Sequence, residues 1–101
     1  MALLYISEFN TLGGGARFPV QGAQQTPVAT QQVNFGGGAT ASNTFNDLTN
    51  FVRLHTDSIC SIKFGTAPVA STSDARMAAN QTEYYSVAPG SKLKVSAVIN
   101  T

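Results

Sequence analysis

Apolar and polar residues alternate along much of this chain, and Gly, Pro and Asn cut the alternation into short runs. A period of two puts every second side chain on the same side of an extended backbone, so the pattern predicts strands. Strong helix signals are absent. The runs predict strands near residues 2–9, 28–35, 40–46, 49–56, 59–64, 82–87 and 92–99. Short strands at this spacing describe an all-β domain, either a single β-sandwich or a jelly-roll-like barrel. No internal repeat is visible, and the chain is expected to form one domain over residues 1–101.

Residues 10–27 depart from the pattern. Gly13-Gly14-Gly15 bends freely, and Pro19 and Pro27 bracket a Gln-rich stretch from Gln21 to Thr26. This segment reads as an extended N-terminal arm or flexible loop. As an arm it would lie over a neighbouring subunit, with Phe18 and Val20 as apolar anchors and Arg17, Gln24 and Gln25 among the contacts. As a loop it would simply cover the surface. A second triglycine, Gly36-Gly37-Gly38, reads as a turn between strands.

The stretch from Asn50 to Phe64 is the most informative. Val52 and Leu54 alternate with Arg53 and His55, then Cys60, Ile62 and Phe64 alternate with Ser61 and Lys63. If Thr56-Asp57-Ser58 closes a hairpin, Leu54 faces Cys60 and Val52 faces Ile62. An even-numbered loop would scramble the two faces. The alternative is that the two strands cross between sheets. In the closing segment Pro89-Gly90 fits a turn in which Pro sets φ and Gly takes a positive φ. Pairing the strands on either side of it would bury Tyr84 opposite Val95 and turn Tyr85 outward opposite Lys94.

Composition sharpens this picture. Only 11% of the residues are charged, against about 25% in an average soluble domain. Ser, Thr, Asn and Gln supply about a third of the chain instead. Such a surface is neutral and hydrogen-bonding, and it suits a protein packed among neighbours. Area scaling for a chain of this mass leaves about 64% of its surface buried on folding, with little surplus stability, so oligomerisation or docking would add to it. Net charge is +1, and the six basic residues are scattered, which does not meet the clustered Lys and Arg of phosphate-driven nucleic-acid binding. The start of the chain lacks the basic leader and apolar run of a signal peptide. No stretch approaches the ~20 apolar residues of a membrane span. No nucleic-acid or membrane partner is therefore expected.

Candidate chemistry is sparse. His55, Asp57 and Cys60 lie near one another in sequence, but the strand register puts His55 and Cys60 on opposite faces, out of reach of a thiol–imidazole dyad. Cys60 reads as a small buried apolar residue. One His and one Cys offer little for zinc, and Glu8, Asp47, Asp57, Asp74 and Glu83 are well separated. The Asp residues fall in turn-like contexts, where their side chains bond nearby amides. The triglycines lack the Lys-Ser/Thr ending of a phosphate loop. The expectation is a non-enzyme without catalytic residues, metal or cofactor. What remains is the face carrying Phe51, Arg53, His55, Ile59 and Lys63, a mixture of aromatic, Arg and aliphatic groups characteristic of interface centres.

The stretch from Phe51 to Pro68, with its continuation from Ala75 to Tyr85, the Pro-Gly turn and the closing strand, resembles small virion proteins of tailed bacteriophages, the head, decoration or cement proteins. The resemblance spans residues 50–99 and consists of strands and turns; the N-terminal half matches nothing recognisable. It implies a β-sandwich, made in the host cytoplasm, that binds the outer capsid surface in many copies, contacts the major capsid protein and forms homo-oligomers, dimers or trimers. An arm could add a strand to a neighbour's sheet edge. A tail or head-fibre anchor is the alternative. A glycan-binding module is a weaker one, since the chain has no Trp.

Overall fold

The computed structural model describes residues 2–10, 12–14, 19–23 and 27–100, with side chains described for 2–10 and 27–100. It is an all-β sandwich of two antiparallel four-stranded sheets, with no helix among the described residues. In chain order the strands are β1 (Leu3–Phe9), β2 (Leu12–Gly14), β3 (Pro19–Ala23), β4 (Ala29–Asn34), β5 (Thr40–Ala41), β6 (Phe51–Thr56), β7 (Cys60–Gly65), β8 (Ala75–Met77), β9 (Thr82–Ser86) and β10 (Lys94–Ile99). The first sheet has the order β4-β1-β6-β9 and the second β5-β10-β7-β8, while β2 and β3 form a separate two-stranded ribbon.

The inner faces come from the predicted alternation. Leu4, Ile6, Val52 and Leu54 from the first sheet meet Cys60, Ile62, Val95 and Ala97 from the second, all buried. Phe35, Phe45, Met77 and Val87 close the same core from loops and edges, and Phe64, Tyr85 and Leu93 pack against it. Each fully buried aliphatic side chain contributes about 1.5–3 kcal/mol relative to exposure.

The connectivity differs from the expected hairpins. β6 and β7 do not pair: β6 lies between β1 and β9, and β7 lies between β10 and β8. The chain therefore crosses from one sheet to the other at Thr56–Ser58. That corner is tied to the start of β1, where the Leu3 amide donates to Asp57 Oδ1 at 2.8 Å and the Asp57 amide donates to the Leu3 carbonyl at 3.2 Å. Thr56 Oγ1 also donates to the Ser58 carbonyl at 2.7 Å. The faces of Val52, Leu54, Cys60 and Ile62 are as expected, because a strand crossing the sandwich still turns its apolar side inward.

The same crossing occurs at the Pro-Gly turn. Gly90 has φ +74° and the Ser91 amide reaches the Ala88 carbonyl at 3.1 Å, which makes the anticipated type II turn. It joins β9 to β10 across the sandwich. β9 instead pairs with β6, setting Tyr85 opposite Val52 and Tyr84 opposite Arg53. Directly opposed residues share a face, so Tyr85 packs inward and Tyr84 is 60% exposed. The expected orientations of the two tyrosines are thus reversed.

Three smaller departures follow. The strand expected over 40–46 is regular only at Thr40–Ala41; beyond it, Ser42 Oγ accepts the Val95 amide at 3.0 Å in place of a ladder carbonyl. β8 was not anticipated. Within residues 10–27, expected as an arm or loop, the backbone of β2 pairs with β3.

Two polar groups brace the interior edge of the first sheet. Glu8 points inward from β1 and is only 2% exposed. Its Oε1 accepts the Asn46 amide and the Thr49 hydroxyl, both at 2.7 Å, and so holds the loop between β5 and β6 against the sheet. At the opposite edge Glu83 accepts from the Tyr85 hydroxyl and the Gln81 side-chain amide. Burial, followed by this bond and the neighbouring carboxylate charge, pushes the Tyr85 phenol up to about 12.

Candidate interaction surface

The outer face of the first sheet is built by the residues that alternate with the core. Cross-strand pairing sets Tyr5 beside His55, Ser7 beside Arg53 and Phe9 beside Phe51. It then sets Arg53 beside Tyr84 and His55 beside Thr82. The Tyr5 and His55 rings lie 6.3 Å apart, and His55 Nδ1 is hydrogen-bonded to Thr82 Oγ1 at 2.7 Å, which fixes the imidazole on the surface. Phe9 and Phe51 stack with centroids 5.2 Å apart. Phe51, Arg53 and His55 are half-buried, while Tyr84 stands proud of them. Arg53, His55 and four aromatic side chains thus share one face, which carries no carboxylate among the described residues.

The expected interface residues do not form one surface. Phe51, Arg53 and His55 belong to this face, Lys63 projects from the outer side of the second sheet, and Ile59 sits in the corner between them. Their separation follows from the crossing at Thr56–Ser58: a hairpin would have put all five together. Tyr5, Thr82 and Tyr84 were missed as members, because β1 and β9 reach β6 only through long-range pairing. Val20 lies in β3, with its side chain outside the described residues; Arg17, Phe18, Gln24 and Gln25 also lie outside them.

The outer side of the second sheet is partly covered by the chain itself, over Ser61 and Ser96 but not over Lys63. The segment from Thr66 to Asp74 folds over it, with the Ala70 amide donating to Ser96 Oγ at 3.0 Å. Asn100 Nδ2 donates to Ser61 Oγ at 2.8 Å and to the Thr72 carbonyl at 3.3 Å. Ser61 and Ser96 are accordingly buried although they point away from the core. Asp74 stiffens the segment by accepting the Ser71 amide at 2.8 Å.

Cys60 lies in the core, where its thiol donates to Thr56 Oγ1 at 3.7 Å. Burial pushes this thiol up, the Thr56 bond opposes that, and the Glu83 charge adds to it. His55, on the outer face, is not its partner. Among the described residues no three His, Cys, Asp or Glu side chains converge as a metal site. No family model matches the chain, and no curated protein or solved structure matches it either.

Proposed function

We propose that this protein is a structural virion protein of a tailed bacteriophage. It binds the outer surface of the capsid and stabilises contacts between neighbouring major capsid subunits. The observation that carries the proposal is a contrast in cover among the described residues: residues 66–74 bury Ser61 and Ser96 on the outer side of the second sheet, whereas Tyr5, Arg53, His55 and Tyr84 lie together, half-buried or exposed, on the outer side of the first. Aromatic and Arg side chains at the centre of a patch are the groups that most often dominate binding energy. The low charge content of the chain supports the same reading, which follows the resemblance read in residues 50–99.

In this role the face docks against capsid subunits, and many copies act together through effective concentration. Clamping adjacent subunits raises the work needed to separate them against internal DNA pressure. Homo-oligomerisation, as a dimer or trimer, would align several such faces.

The test is co-sedimentation with expanded shells. The protein is expected to pellet at a fixed ratio to capsid subunits, and Arg53→Ala with Tyr84→Ala to weaken binding by about tenfold or more. Absence from purified virions removes the proposal. Recovery with tails or fibres would move the same face to that assembly, and binding to a glycan array through Tyr84 would replace it with sugar recognition.

A further inference from the structure

A cleft of about 200 Å³ opens beside Glu8, at the β4 edge of the first sheet and away from Tyr84 on β9. Ala29, Thr30 and Gln31 line one side, and Asn43, Thr44 and Asn46 the other. The Glu8 carboxylate is used unequally. Oε1 takes both short bonds, from the Asn46 amide and the Thr49 hydroxyl. Oε2 receives, among the described residues, a single 3.4 Å contact from Gln31 Nε2, which also spans 3.4 Å to the Asn43 carbonyl. A carboxylate has about four acceptor positions, so one side of this group is under-used.

Among the described residues no cation faces this carboxylate. No Lys, Arg or His lines the cleft, and the ion pair among the described residues joins Lys92 to Asp47. A buried carboxylate is costly unless a countercharge or strong donors accompany it. Gln31 ties Oε2 to the same loop, its own Oε1 accepting the Asn43 amide at 2.9 Å, but the 3.4 Å contact to Oε2 is long and the cleft beside it stays open.

We propose that this cleft receives the guanidinium of an arginine side chain presented by a partner polypeptide. A guanidinium is planar, carries five N–H donors and stays charged. It can donate to Glu8 Oε2 in place of the long Gln31 contact, while the Asn43 carbonyl keeps the Ser42 hydroxyl that donates to it at 2.9 Å. A hard divalent ion fits less well, because it takes about six or more oxygens, commonly from several carboxylates, and the cleft offers one carboxylate. The inference stands apart from the outer-face reading, since it uses other residues on the opposite edge.

The test is titration of isotope-labelled protein with N-acetyl-arginine methylamide and its neutral counterpart, N-acetyl-citrulline methylamide, following the Gln31 and Asn46 amide resonances. The arginine compound is expected to give saturable shifts, and citrulline to bind about tenfold more weakly. Glu8→Gln removes the loop anchor as well, so Thr44→Trp carries the test: Thr44 is exposed, lines the cleft and makes no bond to Glu8. Its substitution should weaken arginine binding by about tenfold while the rest of the spectrum stays native. Equal response to citrulline, an unaffected Thr44→Trp variant or no saturable shift would overturn the proposal. So would binding seen only after Arg17→Gln, which would make the chain's own arginine the occupant, or stronger shifts with calcium chloride alone.

Discussion

The two sheets solve the inward problem alike and the outward problem differently. Inside, each contributes a row of aliphatic side chains to a common core. Outside, residues 66–74 cover part of the second sheet, with Ser61 and Ser96 serving as buried hydrogen-bond posts while Lys63 stays exposed. The first sheet instead displays Tyr5, Arg53, His55 and Tyr84. Polarity alone does not mark an exposed face: the serines of one sheet are buried, whereas a tyrosine of the other is exposed. What differs is whether a later stretch of chain returns to cover the strand.

The largest expected effect tests the shared interior. Ile6→Ala and Ile62→Ala, on opposite sheets, should each lower stability by about 2–5 kcal/mol in urea unfolding. A loss confined to one of them would mean that the sheets do not share a single cooperative core.

A smaller effect separates the outer faces. Ser96→Ala strips the buried Ala70 amide of its acceptor and should cost about 1–3 kcal/mol. Hydrogen exchange across residues 66–74 should rise with it. Arg53→Ala, on the displayed face, should stay within about 0.5 kcal/mol of the parent protein. Equal costs would dissolve the contrast.

The smallest effect is seen in alkali. The Tyr85 phenol titrates at about 12 in the folded protein against an ordinary 10.0, so the folded state keeps its proton longer than the unfolded chain. The associated stability is complete below pH 10 and is lost as pH climbs toward 12. Tm should therefore fall more steeply over that window in the parent protein than in Tyr85→Phe, and matching slopes would show that the phenol is not held by Glu83 and the core edge.

Much of the architecture is legible in the alternation of β1, β6, β7 and β10, because a strand with one apolar side has only one way to face a core. The partners of those strands are not legible, since a turn such as Thr56-Asp57-Ser58 can close a hairpin or carry the chain between sheets. The capping of Leu3 by Asp57 decides for the crossing, and it joins positions far apart in sequence. The reversed tyrosines follow from the same ambiguity. Only Phe51, Arg53 and His55 of the displayed patch were recognisable beforehand; Tyr5 and Tyr84 join them through pairing that local patterns do not encode. Glu8 gives no local sign of burial either, because its partners Asn46 and Thr49 come from a distant loop.

One consequence concerns synthesis. β10 occupies the middle of the second sheet, between β5 and β7, although it is made after both. Until it has left the ribosome, β7 and β5 have no common neighbour, and Ser96 is not there to anchor the cover over residues 66–74. Only β7 and β8 can pair before then; β5 joins the second sheet once β10 is available to sit between it and β7, so the sheet is completed late, as expected where long-range pairing dominates.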